Sequence, residues 1–230
     1  EIGFSIVDIN TSTNEVEKVV FTRRYDLRGF TEAVYVNKKE SQYKRDKHKT
    51  EIQNVYVDMF KWCDHYKVSH FGIEDLTNIT NTQIDNSTEF NRKTKNVWYR
   101  GMQENLVVIK CAERGLELVR VDAKYSSVIG NVLHYEYHDC IGASIEIGRR
   151  SYTKYIKNCH NSIYPTMENY NSERLSHLAG VAVPIKDRWQ DLSKVLNKKE
   201  YGIGGWWRNK LSTEGKNLNS LKSMITYYCK

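Results

Sequence analysis

The sequence predicts an α/β or α+β sheet domain in which short strands alternate with long helices. Three observations carry that reading. β-rich runs are separated by turn-forming residues, apolar positions recur at three- and four-residue steps over two long stretches, and the hydrophobic share of 40% is enough to bury a core.

Residues 3–9, GFSIVDI, and 16–22, VEKVVFT, are β-rich and flank the polar NTSTNE, which predicts a hairpin. AVYVN at 33–37 reads as a further short strand. A basic segment, KKESQYKRDKHK (38–49), then runs into a helical pattern in which Ile52, Val55, Tyr56, Met59, Phe60 and Cys63 share one face, predicting one long helix over 40–66. SHFGIED follows as a strand, and LTNITNTQIDNSTE as a polar, β-branched loop. Residues 91–114 predict a second long helix, with Val97, Met102, Leu106, Ile109 and Ala112 roughly in phase and Gly115 as its stop. LELVRVD (116–122) alternates as a strand should, AKYSSVIGN reads as a loop, and CIGASIEIGRR (140–150) as a helix rich in small residues. Beyond about residue 160 the character changes. The prolines Pro165 and Pro184, the GIGGWW loop at 202–207 and Lys-rich flanks suggest an appended segment, giving a domain over 1–160 and an extension over 161–230.

Lys and Arg number 35 against 28 Asp and Glu, for a net charge of +7. That balance favours a polyanionic partner without requiring one. Aromatic residues make up 12% of the chain, a supply of stacking platforms as well as of core. The 5 cysteines are scattered and form no C-x-x-C pair, so neither a zinc ribbon nor a disulfide framework is indicated and a reducing, intracellular setting fits best. No signal peptide and no apolar run long enough to span a bilayer is present, so no membrane partner is expected. The chain opens at Glu1 in a strand-like run, as expected of a piece of a longer protein.

Two acids stand at element ends. Glu74 closes a predicted strand, and Asp139 immediately precedes a predicted helix. Ligand sites of α/β sheets collect at the carboxyl ends of strands, and Mg²⁺ is held by a few carboxylates plus substrate phosphates. Asp139 equally suits a plain helix N-cap. A rival set, His134, Glu136 and His138, alternates in HYEYHD and in a strand would share one face, a possible Zn²⁺ site or simply an amphipathic edge. YGIGGWWRNK offers Trp206 and Trp207 beside Arg208 and Lys210, either as a base-stacking loop or as a glycine turn with a Trp anchored in the core.

FGIEDL, FNRKTKNVW, DAKYSSVIGN and YHDCIGASIEIGRR, in that order over residues 71–150, resemble the last two RuvC motifs of TnpB-type transposon-associated nucleases, relatives of the type V CRISPR effector nucleases. IGFSIVD resembles the segment just after the first RuvC motif. The resemblance implies an RNase H-like mixed sheet flanked by long helices and a two-metal phosphodiesterase site taking Mg²⁺ or Mn²⁺. Glu74 would be the second-motif and Asp139 the third-motif carboxylate, each catalytic as a metal ligand. It also implies a DNA substrate, a guide RNA, and a cytoplasmic protein of bacterial or phage origin. By charge rather than by motif, Lys44, Arg45, Lys47, Arg92 and Lys95 would line the nucleic-acid path.

The chain departs from the family in two ways. The family's initial Asp is expected a little upstream of Glu1, with Asp8 aligned instead to the end of the returning strand. The usual C-x-x-C ribbon between the second and third motifs is replaced by a run without a cysteine pair. A nuclease-inactive RNA-guided or plain DNA-binding protein that keeps the fold is therefore the alternative, and a stand-alone junction resolvase the third reading.

Overall fold

The computed structural model describes residues 2–27, 40–75, 100–134, 136–157 and 189. The element order is β1 (Ile2–Ile9), β2 (Val16–Tyr25), α1 (Glu40–His65), β3 (His70–Asp75), α2 (Arg100–Arg114), β4 (Glu117–Asp122), α3 (Ser126–Leu133) and α4 (Asp139–Lys157). The molecule is thus mixed α/β. The strand expected at 33–37, the loop after β3, the first part of the helix expected at 91–114, and the GIGGWW loop lie outside the described residues. The chain divides into two compact units. One holds the described residues of Glu1–Ala123 and Ile147–Ile163, the other those of Lys124–Glu146 and Tyr164–Lys230. No helix among the described residues is long and apolar enough to cross a membrane.

In the first unit β1 and β2 form the expected antiparallel hairpin, from Ile2 opposite Tyr25 to Ile9 opposite Val16. The connection is an Asx turn. The Asn10 side chain accepts from the backbone N–H groups of Ser12 and Thr13 at 2.9 and 3.2 Å, and Asn14 takes the left-handed conformation, φ 60°, that asparagine tolerates. β3 and β4 pair in parallel, from His70 opposite Glu117 to Asp75 opposite Asp122. Among the described residues the two ladders are separate. The single mixed sheet expected from the sequence is therefore not seen among the described residues, and β1 meets β3 through stacked Phe4 and Phe71 rings, 6.4 Å apart.

The core explains why these segments fold as they do. Met59, Phe60 and Cys63 of α1, Val107 and Cys111 of α2, Phe4 and Ile6 of β1, and Phe71 of β3 form one buried cluster. Phe60 stacks on Phe71 at 4.8 Å, while the Arg114 guanidinium covers the Phe60 ring at 5.2 Å and bonds Asp64 at 2.9 Å. A fully buried phenylalanine of this kind is worth about 3–5 kcal/mol against alanine. The hairpin is tied to α1 by the Tyr25 hydroxyl, which donates to Asp58 at 2.6 Å, and by Arg23, which pairs with the same carboxylate oxygen at 3.0 Å. Burial, followed by the Asp58 carboxylate, raises the Tyr25 phenol well above its usual range.

α1 and α2 end alike. After α1, the Val68 N–H bonds the Cys63 carbonyl at 3.0 Å with Lys67 left-handed at φ 53°; after α2, the Leu116 N–H bonds the Cys111 carbonyl at 3.0 Å with Gly115 at φ 64°. This is the Schellman closure, which favours glycine at the left-handed position and has it only in the second case.

The parallel pair has two distinct faces, because register partners in a parallel ladder point the same way. Phe71, Ile73 and Leu118 look into the core shared with α1 and α2. On the other face Val119 and Val121 pack with Ile147 of α4, and a Cβ added to Gly72 would collide with Ser151. α4 also closes an edge of β4. Arg150 donates to the Asp122 carbonyl at 2.7 Å and Lys154 to the Arg120 carbonyl at 2.5 Å, two acceptors of the same parity and hence on one edge.

The segment AKYSSVIGN, which lies in the second unit from Lys124 on, corrects a sequence expectation in part. Its first three residues are outside any helix, but residues 126–133 form α3, with Val128 and Ile129 buried. Gly130 breaks no helix there. A Cβ on Gly130 would fall on the Gly142 backbone, and one on Gly142 would stand 2.9 Å from the Gly130 carbonyl oxygen, so the pair lets α3 and the start of α4 touch backbone to backbone. Tyr125, left-handed at φ 63°, turns the chain into α3.

Candidate functional site

Glu74 lies where the sequence places it, on the penultimate residue of β3. Opposite Val121 in the register, it belongs to the face covered by the second half of α4, while Asp75 and Asp122 pair across the ladder on the other face. The carboxyl end of the parallel pair thus gathers three acids, Glu74, Asp75 and Asp122, within one register step of each other. This is the end at which α/β sheets place ligands. Glu74 and Asp75 are neither fully buried nor fully exposed.

Asp139 belongs to the second unit and opens α4. The N-cap expectation is refined. The His138 carbonyl receives the first helical bonds, from Ile141 and Gly142 at 2.8 and 2.9 Å, so His138 is the cap and Asp139 the first helical residue. The Asp139 carboxylate accepts from the Cys140 N–H at 2.7 Å and stands 2.6 Å from His138 Nδ1. Cys140 Sγ lies 3.3 Å from the same nitrogen. A carboxylate at the first turn is also favoured by the positive end of the helix.

The rival set is corrected. The described residues of HYEYHD form no strand: His134 ends α3, Glu136 lies in a turn, and His138 caps α4, so the alternation that would align the three does not exist. Of the three, only His138 enters a cluster of potential ligands. With Asp139 and Cys140 it forms the one such set of three among the described residues, all ligand atoms within 4.8 Å of one another. Cys140 was not singled out by spacing, because three consecutive residues share no face in a regular helix or strand. They are gathered only where the chain turns into a helix.

Of the expected basic path, Lys47 is exposed on α1, and Lys44 and Arg45 belong to the same helix with their side chains outside the described set; Arg92 and Lys95 lie outside the described residues altogether. Asp46 interrupts this basic stretch and pairs with Lys49 at 3.7 Å. His48 is buried, which lowers its pKa and keeps it from adding positive charge at neutral pH. α4 carries a further feature not foreseen from sequence. Glu146, Arg149 and Arg150 are buried charged residues, and Arg150 is held by the Asp122 carbonyl at the acid-bearing end of β4.

No family model, curated protein or solved structure matches the chain.

Proposed function

We propose that the chain is a RuvC-like nuclease domain with an RNase H-like fold, of the TnpB or type V effector kind, that hydrolyses DNA phosphodiesters under the guidance of an RNA. The observation that carries this reading is the position of Glu74 at the carboxyl end of a parallel strand pair, beside Asp75 and Asp122. The donor chemistry at that end, carboxylates with no soft ligand, fits Mg²⁺. In this reading Glu74 and Asp139 hold the metal. A bound Mg²⁺ pair supplies a Lewis acid and an acidified water at neutral pH. The chain's own part is positional. β3 fixes Glu74 through its ladder with β4, and α4 presents Asp139 from its first turn. Lys47, with Lys44 and Arg45 of the same helix and with Arg92 and Lys95, attracts the phosphate backbone.

The test is Mg²⁺-dependent cleavage of DNA by the protein carrying its native upstream sequence and its co-purifying RNA. Glu74→Gln and Asp139→Asn are each expected to abolish cleavage while DNA binding persists. Full activity in both variants would overturn the assignment. The second reading, a nuclease-inactive nucleic-acid-binding protein, is favoured by the excess of basic residues, 35 Lys and Arg against 28 Asp and Glu, which suits a polyanion without any metal site. It predicts DNA affinity that falls steeply with salt and no cleavage under any metal.

A further inference from the structure

We propose that His138, Asp139 and Cys140 form a binding site for a borderline divalent cation of the Zn²⁺ or Co²⁺ class, through Nδ1, a carboxylate oxygen and Sγ. The inference goes beyond the nuclease reading, requiring neither Glu74 nor nucleic acid, and the two meet at one ligand: an Asp139 carboxylate held by this cation is not at the same time available to a Mg²⁺ beside Glu74.

The geometry singles out one point. The Asp139 oxygen at 2.6 Å, Cys140 Sγ at 3.3 Å and the Cys140 N–H at 3.4 Å all address the same ring nitrogen, His138 Nδ1. A nucleophilic Cys-His-Asp triad is excluded by this arrangement, because there the thiol and the orienting carboxylate use different nitrogens of the ring. Without a cation, protonated Nδ1 donates to Asp139 while the Cys140 amide bonds the Asp139 oxygen at 2.7 Å. A cation at the centre of the three ligand atoms would take the place of the Nδ1 proton.

Donor spacing and type agree. Ligand atoms around a tetrahedral zinc stand roughly 3.3–3.8 Å apart, given metal–ligand bonds of about 2.0–2.3 Å. The sulfur–nitrogen separation is already 3.3 Å, and the carboxylate must withdraw from the imidazole by less than about 1 Å. Thiolate and imidazole select against Mg²⁺, which demands oxygen ligands in octahedral array, and for Zn²⁺ or Co²⁺. Three protein ligands leave a fourth position to water. The Gly130–Gly142 backbone contact fixes the turn of α4 next to the cluster, so the ligands stand on a rigid base. On binding, the Cys140 S–H bond gives its proton to solvent as the sulfur–metal bond forms, and the proton between Nδ1 and the carboxylate leaves in the same way.

The test is a Co²⁺ titration of the full chain under a non-thiol reductant, read by absorption. A thiolate-to-cobalt charge-transfer band with the ligand-field bands of a four-coordinate ion is expected. It should persist in the Cys159→Ser/Cys229→Ser double variant and disappear in Cys140→Ser. His138→Gln and Asp139→Asn should each weaken apparent affinity by roughly tenfold or more. A measurement that needs no variant accompanies it. Zn²⁺ should protect Cys140 of the unmodified chain from iodoacetamide, mapped by peptide mass spectrometry. Absence of the band at saturating Co²⁺, its survival in Cys140→Ser, or alkylation of Cys140 indifferent to Zn²⁺ would each overturn the proposal. Glu74→Gln should leave both readouts unchanged, which separates this site from the fate of the nuclease reading.

Discussion

The two acids that the sequence marks stand in opposite kinds of place. Glu74 ends a strand, held in position by the β3–β4 ladder. Asp139 begins a helix and is already engaged, by the Cys140 amide at 2.7 Å and by His138 at 2.6 Å. A strand-end carboxylate is aimed by backbone register, so its position is independent of what it binds. A helix-start carboxylate has structural work by default, and any ligand must compete for it. On the nuclease reading, the same type of side chain would serve from a strand end at one position and from the first turn of a helix, beside an imidazole and a thiol, at the other.

Substitutions sharpen that contrast. On the nuclease reading, Glu74→Gln should lower cleavage on the order of 10³-fold, whereas Asp139→Asn should lower cleavage and also stability, by about 0.5–1 kcal/mol for the weakened helix start. Cleavage assays paired with urea denaturation separate the two. Next in size are the close approaches that place the acids. Gly130→Leu, which drives a side chain into the Gly142 backbone, should cost about 3 kcal/mol or more. Gly72→Ala, on the Glu74 face, should cost about 2 kcal/mol, with partial rescue by Ser151→Gly, because the obstacle there is a side chain.

The thiols extend the comparison to pH. Burial pushes Cys63 up to about 12 and Cys111 up to about 11 from an ordinary 9.0. Each thiol therefore holds its proton more tightly folded than unfolded. Stability should be intact below pH 9 and fall as pH rises from there toward 11 and 12, with a slope approaching about 1.4 kcal/mol per pH unit for each thiol. Urea midpoints measured between pH 7 and 11 would check this, and a flat profile would contradict the burial of the pair. Smallest are the helix stops. Lys67→Gly should stabilise by about 0.5–1 kcal/mol and Gly115→Ala should destabilise by about 1 kcal/mol, both read from thermal midpoints.

Much of the fold was legible because period and punctuation agreed. The hairpin, α1, β3, β4 and α4 stand where alternation or the three- and four-residue step puts them, to within two or three residues at most ends; α4 runs on past residue 150 and β2 past 22. α3 was not legible. Ser126, Ser127, Gly130 and Asn131 have loop chemistry in isolation, and the reason for Gly130 is a neighbour twelve residues away. The division of strands between two ladders was hidden for a similar reason, since pairing depends on which faces the aromatic core claims. Of the site, Glu74 was visible from its strand and Asp139 from its helix. The association of Asp139 with His138 and Cys140 was not, because it is created by the turn into α4 rather than by any repeat.

The two cations that α4 lays along β4 have a consequence for the protein in a crowded solution. An exposed strand edge is a template for another chain, and unguarded edges seed association and fibrils. At this edge of β4 an incoming strand would have to displace the Arg150 guanidinium and the Lys154 ammonium from the carbonyls they occupy. It would also have to bury their charge, so the parallel pair is defended against recruitment along that side by the second half of α4.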